Sequence, residues 1–335
     1  MMKSKFHKKT FHFKLPSGTS RGILTEKHAW FIEIWEESNP SIVGTGECSI
    51  IPGLSPDFEN FESYEEQLSK VCENLQIDLE NWPSIKFGVE CALLDLKNGG
   101  KGVVFDNSFS RGERKLAING LIWMGDKEFM QSQIQEKIDA GFTTIKMKIG
   151  SIDFETELKL LQSIRAEFSS DQITLRVDAN GAFSVDEALE KLRKLAKFGI
   201  HSIEQPIKAG QYEEMRNLCV NSPVKIALDE ELIGVNQLEK KKELLDLIQP
   251  DFIILKPSLH GGISGCKEWI SLAEERKINW WITSALESNI GLSAICQFVG
   301  EYKNRLPQGL GTGSLYTDNI PSNLIVKEGQ IYLSL

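Results

Sequence analysis

The chain has 335 residues, of which 41% are hydrophobic and 25% charged. That balance is too apolar for a disordered chain and too interrupted by charge for a membrane span, and the length suits about two domains or one large barrel. A net charge of −9 argues against nucleic acid or an anionic membrane as partner.

The chain opens on MMKSKFHKKTFHFKLPSG, which is basic but has no continuous apolar stretch. It reads as a strand rather than a signal peptide, and the cytoplasm is the expected compartment. FHFKLPSG, HAWFIEIWEE and SIVGTGECS predict an antiparallel meander, and ESYEEQLSKVCENL and the region of IKFGVECALLDLKNG predict two helices. Cys48, Cys72, Cys91, Cys219, Cys266 and Cys296 are scattered without a C-x-x-C pair, which fits buried reduced thiols rather than a disulfide frame or a zinc site.

From about residue 115 one unit repeats: a short apolar run, a polar or charged residue at its end, then a helical stretch with a charged face. The runs are KLAINGLIW, TTIKMKIG, ITLRVDAN, IHSIEQPI, VKIALDE, DFIILKPS, NWWITSAL and PQGLGTG. Eight such alternations predict an α/β fold, a parallel (β/α)8-type barrel, with an open doubly wound sheet as the alternative. The tail NLIVKEGQIYLSL is strand-like again. The expected division is an α+β capping domain over 1–108, with 314–335 returning to it, and a barrel over 109–313.

The ends of the middle strands carry the chemistry, because barrel active sites sit at the C-terminal ends of their strands. The second run ends with Lys146 and Lys148, the third with Asp178, the fourth with Glu204, the fifth with Asp229 and the sixth with Lys256. These acids recur at near-equal intervals, one barrel unit apart. Converging on one point they would repel prohibitively without a cation, and an all-oxygen set without histidine or cysteine suits Mg²⁺ better than zinc. In TTIKMKIG the two lysines point the same way, and their repulsion favours a neutral amine, the state a general base needs. Lysines on strands two and six face each other across a barrel. A small carboxylate substrate held on Mg²⁺ then presents its α-carbon between two amines, and loss of the α-proton gives an enediolate stabilised by metal and ammonium.

The motifs TIKMKIG, LRVDANGAF, SIEQPI, IALDEEL and IILKPSLHGG, in that order, resemble those of the muconate-cycloisomerase subgroup of the enolase superfamily, and the resemblance spans essentially the whole chain. It implies a barrel of the modified (β/α)7β form, Asp178, Glu204 and Asp229 as ligands of Mg²⁺, with Mn²⁺ as an alternative, and Lys148 and Lys256 as catalytic lysines. It further implies that Lys146 contacts the substrate carboxylate and depresses the pKa of Lys148, and that Asn180 and Glu230 support the ligands from behind.

Within the subgroup, the seventh run ends in Ser284, Ala285 and Leu286 rather than histidine, and GLGTGS stands where dipeptide epimerases carry Asp-x-Asp. His260 reads as structural. GTGECSIIPGLSPD resembles the specificity loop of the o-succinylbenzoate synthase family, as INGLIWMGD and GTGSLYTDNI resemble other parts of it. That resemblance implies Pro52, Gly53, Ser284 and Gly311 at the substrate and a reaction of menaquinone synthesis. The reaction is syn-dehydration of 2-succinyl-6-hydroxy-2,4-cyclohexadiene-1-carboxylate to o-succinylbenzoate. The alternatives are an N-acylamino acid racemase, a muconate-type cycloisomerase, a non-catalytic metal-binding barrel, and a phosphosugar- or flavin-binding barrel in which GLGTGS cradles phosphate.

Overall fold

A computed structural model describes residues 1–19 and 22–334. The chain begins with an antiparallel sheet of three strands in the order β1 (Met2–Thr19), β2 (Gly22–Glu36) and β3 (Asn39–Ser49). The apolar run of β2 is buried on both of its faces. Trp30, Ile32 and Ile34 pack with Tyr64, Leu68 and Val71 of α1 (Phe61–Glu73) and with Ile85, Val89 and Ala92 of α2 (Pro83–Lys97). Ala29 and Phe31, on the opposite pleat, pack with Phe11, Leu286 and Tyr316. This alternation explains why HAWFIEIWEE carries so little polarity: one face covers the cap's helices and the other covers the barrel.

Short strands β4 (Leu116–Ala117) and β5 (Gly120–Ile122) lead into the barrel. There follow α3 (Lys127–Asp139), β6 (Thr144–Lys148), α4 (Phe154–Glu167), β7 (Thr174–Asp178), α5 (Val185–Ala196), β8 (Ile200–Glu204), α6 (Tyr212–Asn221) and β9 (Ile226–Leu228). The unit continues through α7 (Leu238–Ile248), β10 (Phe252–Leu255), α8 (Gly262–Glu275), β11 (Asn279–Ile282) and α9 (Asn289–Gly300). Strands β5 to β11 are parallel neighbours in chain order, each followed by a helix.

Two expected strands take a different form. KLAINGLIW is divided: β5 joins the barrel, while β4 pairs with the C-terminal hairpin of β12 (Leu324–Lys327) and β13 (Gln330–Leu333). PQGLGTG closes the barrel through Gln308 and Gly309 alone. Gln308 N donates to Ala117 O at 2.8 Å, Asn119 N to Gln308 O at 2.9 Å, Gly309 N to Ile282 O at 2.9 Å and Ser284 N to Gly309 O at 3.1 Å. The Gln308 side chain replaces further ladder, accepting from Ile282 N at 2.7 Å. No helix follows this closing segment among the described residues, so the barrel is of the (β/α)7β form. The tail first runs beside β1, with Lys14 N donating to Leu315 O and Thr317 N to His12 O, and then turns to the barrel as the β12–β13 hairpin on β4.

The cap is seated on the barrel by two acids that meet helix N-termini, where free amides and the helix dipole favour a carboxylate. Glu90 on α2 accepts from Ile263 N at 2.5 Å at the start of α8. Glu47 on β3 accepts from Ser288 N at 2.8 Å and Gly291 N at 2.9 Å at the start of α9.

Candidate active site

The parallel register brings the strand ends to one level: Lys148 lies opposite Asp178, and Asp178 opposite Glu204. On β6, Ile145 and Met147 point into the apolar layer under the helices, which leaves Lys146 and Lys148 facing the barrel interior. Lys146 and Lys148 are 11% and 13% exposed, and Lys256, which follows β10 on the opposite wall, is 13% exposed.

The carboxylates are held by these lysines. Lys146 Nζ lies 2.9 Å from Asp178 Oδ2 and 2.5 Å from Glu204 Oε2. Burial works against its charge, but Asp178 and Glu204 outweigh burial and hold the ammonium above the ordinary lysine range. The expected repulsion between two lysines is therefore overruled at Lys146, because the neighbouring strands place acids closer than a simple strand-face argument allows. Lys148 Nζ donates to the neutral amide oxygen of Asn180 at 2.7 Å and lies 3.4 Å from Asp178 Oδ2. Lys256 donates to Asp229 Oδ2; burial opposes its charge, and Asp229 with Glu204 raises it above the ordinary value.

Among the acids, burial pushes Asp178 upward, but Lys146 and Lys148 bring it below the usual carboxylate range. Glu204 goes the other way, raised by burial and by the adjacent Asp178 charge despite its lysine partner. Beneath them the Arg176 guanidinium, 2% exposed, donates to Pro307 O at 2.8 Å and lies 4.0 Å over the Trp281 ring. Burial lowers its pKa to about 10, leaving it a cation under Glu204.

The donor set fits a divalent cation. Asp178 and Glu204 end two neighbouring strands and Asp229 directly follows the third, Glu204 Oε1 and Asp229 Oδ1 are buried without a hydrogen-bond partner, and Glu204 is strained by like charge. Among the described residues no three acidic, histidine or cysteine side chains are drawn together tightly enough to ligate an ion; the ammonium groups of Lys146 and Lys256 engage the carboxylates instead.

Asn180 and Glu230 lie directly behind this set. Asn180 N donates to Asp178 Oδ1 and its Nδ2 to Glu230 Oε1, each at 2.9 Å. Gln205, not singled out by sequence, does similar work at the next strand: its Oε1 accepts from Asp229 N and Glu231 N at 3.2 Å. Both Asn180 (φ 45°) and Gln205 (φ 40°) are left-handed, a state that asparagine before glycine adopts readily but that nothing in the residues around Gln205 announces. His260 is buried, and its Nδ1 accepts from Lys256 N at 2.8 Å, bracing the loop that carries the lysine.

The three lysines, Asp178 and Glu204, with Asn180 and Glu230, line a cavity of about 1040 Å³, and Asp229 lies buried just beneath its surface. Ser284 and Gly311 line it, and Ser284 Oγ meets Thr312 Oγ1 at 2.6 Å. Pro52 and Gly53 do not: they are the exposed corner of a turn in which Leu54 N donates to Ile51 O at 3.0 Å and Gly53 takes φ 76°. A type II turn favours glycine there, and the residues on either side of the corner, Ile51 and Leu54, form the cavity wall in place of Pro52 and Gly53.

Barrel, cap and strand-end acids together define an enolase-type protein, and the comparisons agree. The family model described as "Enolase C-terminal domain-like" matches residues 130–334, and the chain belongs to that family, the enolase superfamily. Over 99% of both chains it is 44% identical to the o-succinylbenzoate synthase of Desulfotalea psychrophila. The crystal structure of MenC from the same organism superposes with a TM-score of 0.89, at 42% identity and 99% coverage of both chains. The L-Ala-D/L-Glu epimerase of Bacillus subtilis is 26% identical over 81% of this chain and 74% of its own. Enzymes of this superfamily depend on a divalent metal.

Proposed function

We propose that the chain is an o-succinylbenzoate synthase, a carbon-oxygen lyase of the cytoplasm acting in menaquinone synthesis on 2-succinyl-6-hydroxy-2,4-cyclohexadiene-1-carboxylate. The observation that carries the reading is the pair Lys148 and Lys256 on opposite walls of a cavity whose intervening strand ends hold three acids. The full-length likeness to the Desulfotalea psychrophila enzyme supports the choice of substrate within the superfamily.

Asp178, Glu204 and Asp229 would hold Mg²⁺, or Mn²⁺ as a second hard cation, which when bound supplies positive charge beside the substrate carboxylate. Lys148 is the base: of the three lysines it is the one whose nearest partner is a neutral amide. Its amine takes the proton on the carbon bearing the carboxylate. The electron pair left on that carbon forms the new ring double bond as the C–OH bond breaks, and the departing hydroxide takes the proton back from the Lys148 ammonium, leaving as water. Base and acid are one group on one face, so the elimination is syn. Lys256, held as an ammonium by Asp229, stays on the far face as a fixed cation. Lys146, locked between Asp178 and Glu204, keeps the acids in place. Ile51, Leu54 and Leu286 offer an apolar wall to the ring.

The test is turnover of the cyclohexadiene acid by purified protein with Mg²⁺, followed by absorbance, with a chelator control expected to abolish it. N-Acylamino acid racemisation is the second reading, favoured by the opposed placement of the two lysines. α-Proton exchange of an N-succinylamino acid in D₂O without dehydration would transfer the function there.

A further inference from the structure

Outside the barrel mouth, a second set of buried charges lies in the seam between cap and barrel, and the mechanism makes no use of it. Lys27 on β2 is 2% exposed, and its ammonium donates to Ile50 O and to Ala285 O, both at 2.8 Å. Ile50 leads directly into the Ile51–Leu54 turn, and Ala285 is the middle residue of the Ser284–Leu286 loop after β11. Both segments line the cavity. One side chain thus joins two walls that come from different domains.

The second wall is strained. Leu286 sits at φ 62°, a left-handed conformation that a branched side chain disfavours. Hydrogen bonds at consecutive residues keep it there: Leu286 N donates to Ser284 Oγ at 3.1 Å, Tyr316 Oη donates to Leu286 O at 2.6 Å, and Lys27 grips the intervening carbonyl. Two buried carboxylates, Glu287 and Glu47, supply the field that keeps a cation tolerable at Lys27. Glu287 is anchored by Ser258 Oγ at 2.6 Å, and Glu47 by Ser288 Oγ at 2.5 Å and the amides that start α9. A methyl at Gly291 would come 2.9 Å from Glu47 Oε2, so a bare glycine is what lets that carboxylate reach the helix.

We propose that Lys27 is a positioning residue for substrate: by fastening the Ile51–Leu54 turn of the cap to the Ser284–Leu286 loop of the barrel, it sets the shape of the apolar cavity wall without touching a reacting atom. The substrate half of this inference rests on the dehydratase reading, while the fastening itself does not.

Kinetics with the cyclohexadiene acid and Mg²⁺ test the first half. Lys27→Met should raise KM about 10- to 100-fold and change kcat less than about threefold, because it loosens binding walls and leaves the lysines that do chemistry in place. Lys27→Gln keeps two N–H donors on a slightly shorter side chain and should recover part of the loss. Hydrogen exchange without substrate tests the fastening: in Lys27→Met, residues 50–54 and 284–286 should speed up together while β7 and β8 stay protected. If KM is unchanged while turnover falls, or if exchange is unchanged in those two segments, the inference is overturned. A wild type that does not turn over the diene acid defeats the dehydratase reading alone, and exchange then decides the inference. Should Lys27→Met fail to fold, Lys27→Gln carries both readouts: a KM rise and faster exchange are expected, and the absence of either change overturns the inference.

Discussion

The barrel mouth and the cap–barrel seam both bury lysine and carboxylate side chains, yet the two clusters are satisfied differently. At the seam, the Lys27 ammonium meets two backbone carbonyls, and the Glu47 carboxylate meets two backbone amides and a hydroxyl. At the mouth, acids crowd acids, and Glu204 Oε1 and Asp229 Oδ1 receive no hydrogen bond. Backbone groups cannot move away, so a charge tied to them is architecture. A charge tied to other side chains, with oxygens to spare, can exchange its partners for a cation and a substrate. The same residue types therefore hold the molecule together in one place and react in the other.

The widest separation between the clusters should appear on removing a lysine from the mouth. Lys148→Ala is expected to lower kcat by about 10³-fold or more, the range of a lost general base, with an unchanged unfolding midpoint; substantial residual turnover would remove Lys148 from the role of base. At the seam the effect should fall on stability. Glu47→Gln weakens a buried acceptor of three hydrogen bonds at the start of α9 and should cost about 3 kcal/mol in urea unfolding, while kcat at saturating substrate stays within a few-fold.

A pH series sharpens the contrast. Burial lowers Lys27 to about 8, against the pull of Glu287 and Glu47. Between pH 8 and the ordinary lysine value the unfolded chain binds the extra proton, so this residue makes stability rise with pH across that window. The gain is roughly 3 kcal/mol over the whole window, and the difference between wild type and Lys27→Met should carry that slope; parallel profiles would mean that Lys27 takes up its proton as readily in the fold as in the unfolded chain and so is not buried in the seam. The smallest effects belong to the cap turn. Leu54→Ala, which takes apolar area from the cavity wall, should raise KM by about tenfold, whereas Pro52→Ala on the exposed corner should change it less than about threefold. The reverse order would show that the turn faces the other way in solution.

Most of the mouth was readable in the sequence because its residues violate a strong local pattern. Lys146, Lys148, Asp178, Glu204, Asp229 and Lys256 each interrupt or end an apolar run in which nothing but the barrel interior can receive them. The seam was not readable for the opposite reason: Lys27 and Glu47 sit in strands whose alternation makes a charged residue look like an ordinary wet face, and only tertiary packing buries them. The cap turn was placed correctly by Pro-Gly, but a turn motif does not say which of its residues face inward. The closing segment 308–309 is shorter than its run suggests because the Gln308 side chain takes the place of a strand neighbour. The environment of Lys146 depended on register between strands, which spacing along the chain does not contain.

The account turns on one reaction, and the most direct measurement is absorbance on mixing the protein and Mg²⁺ with the cyclohexadiene acid in D₂O, run beside Lys148→Ala. The account predicts rapid aromatisation by the wild type and none by the variant. Persistence of the diene with wild type, or equal turnover by Lys148→Ala, would contradict it.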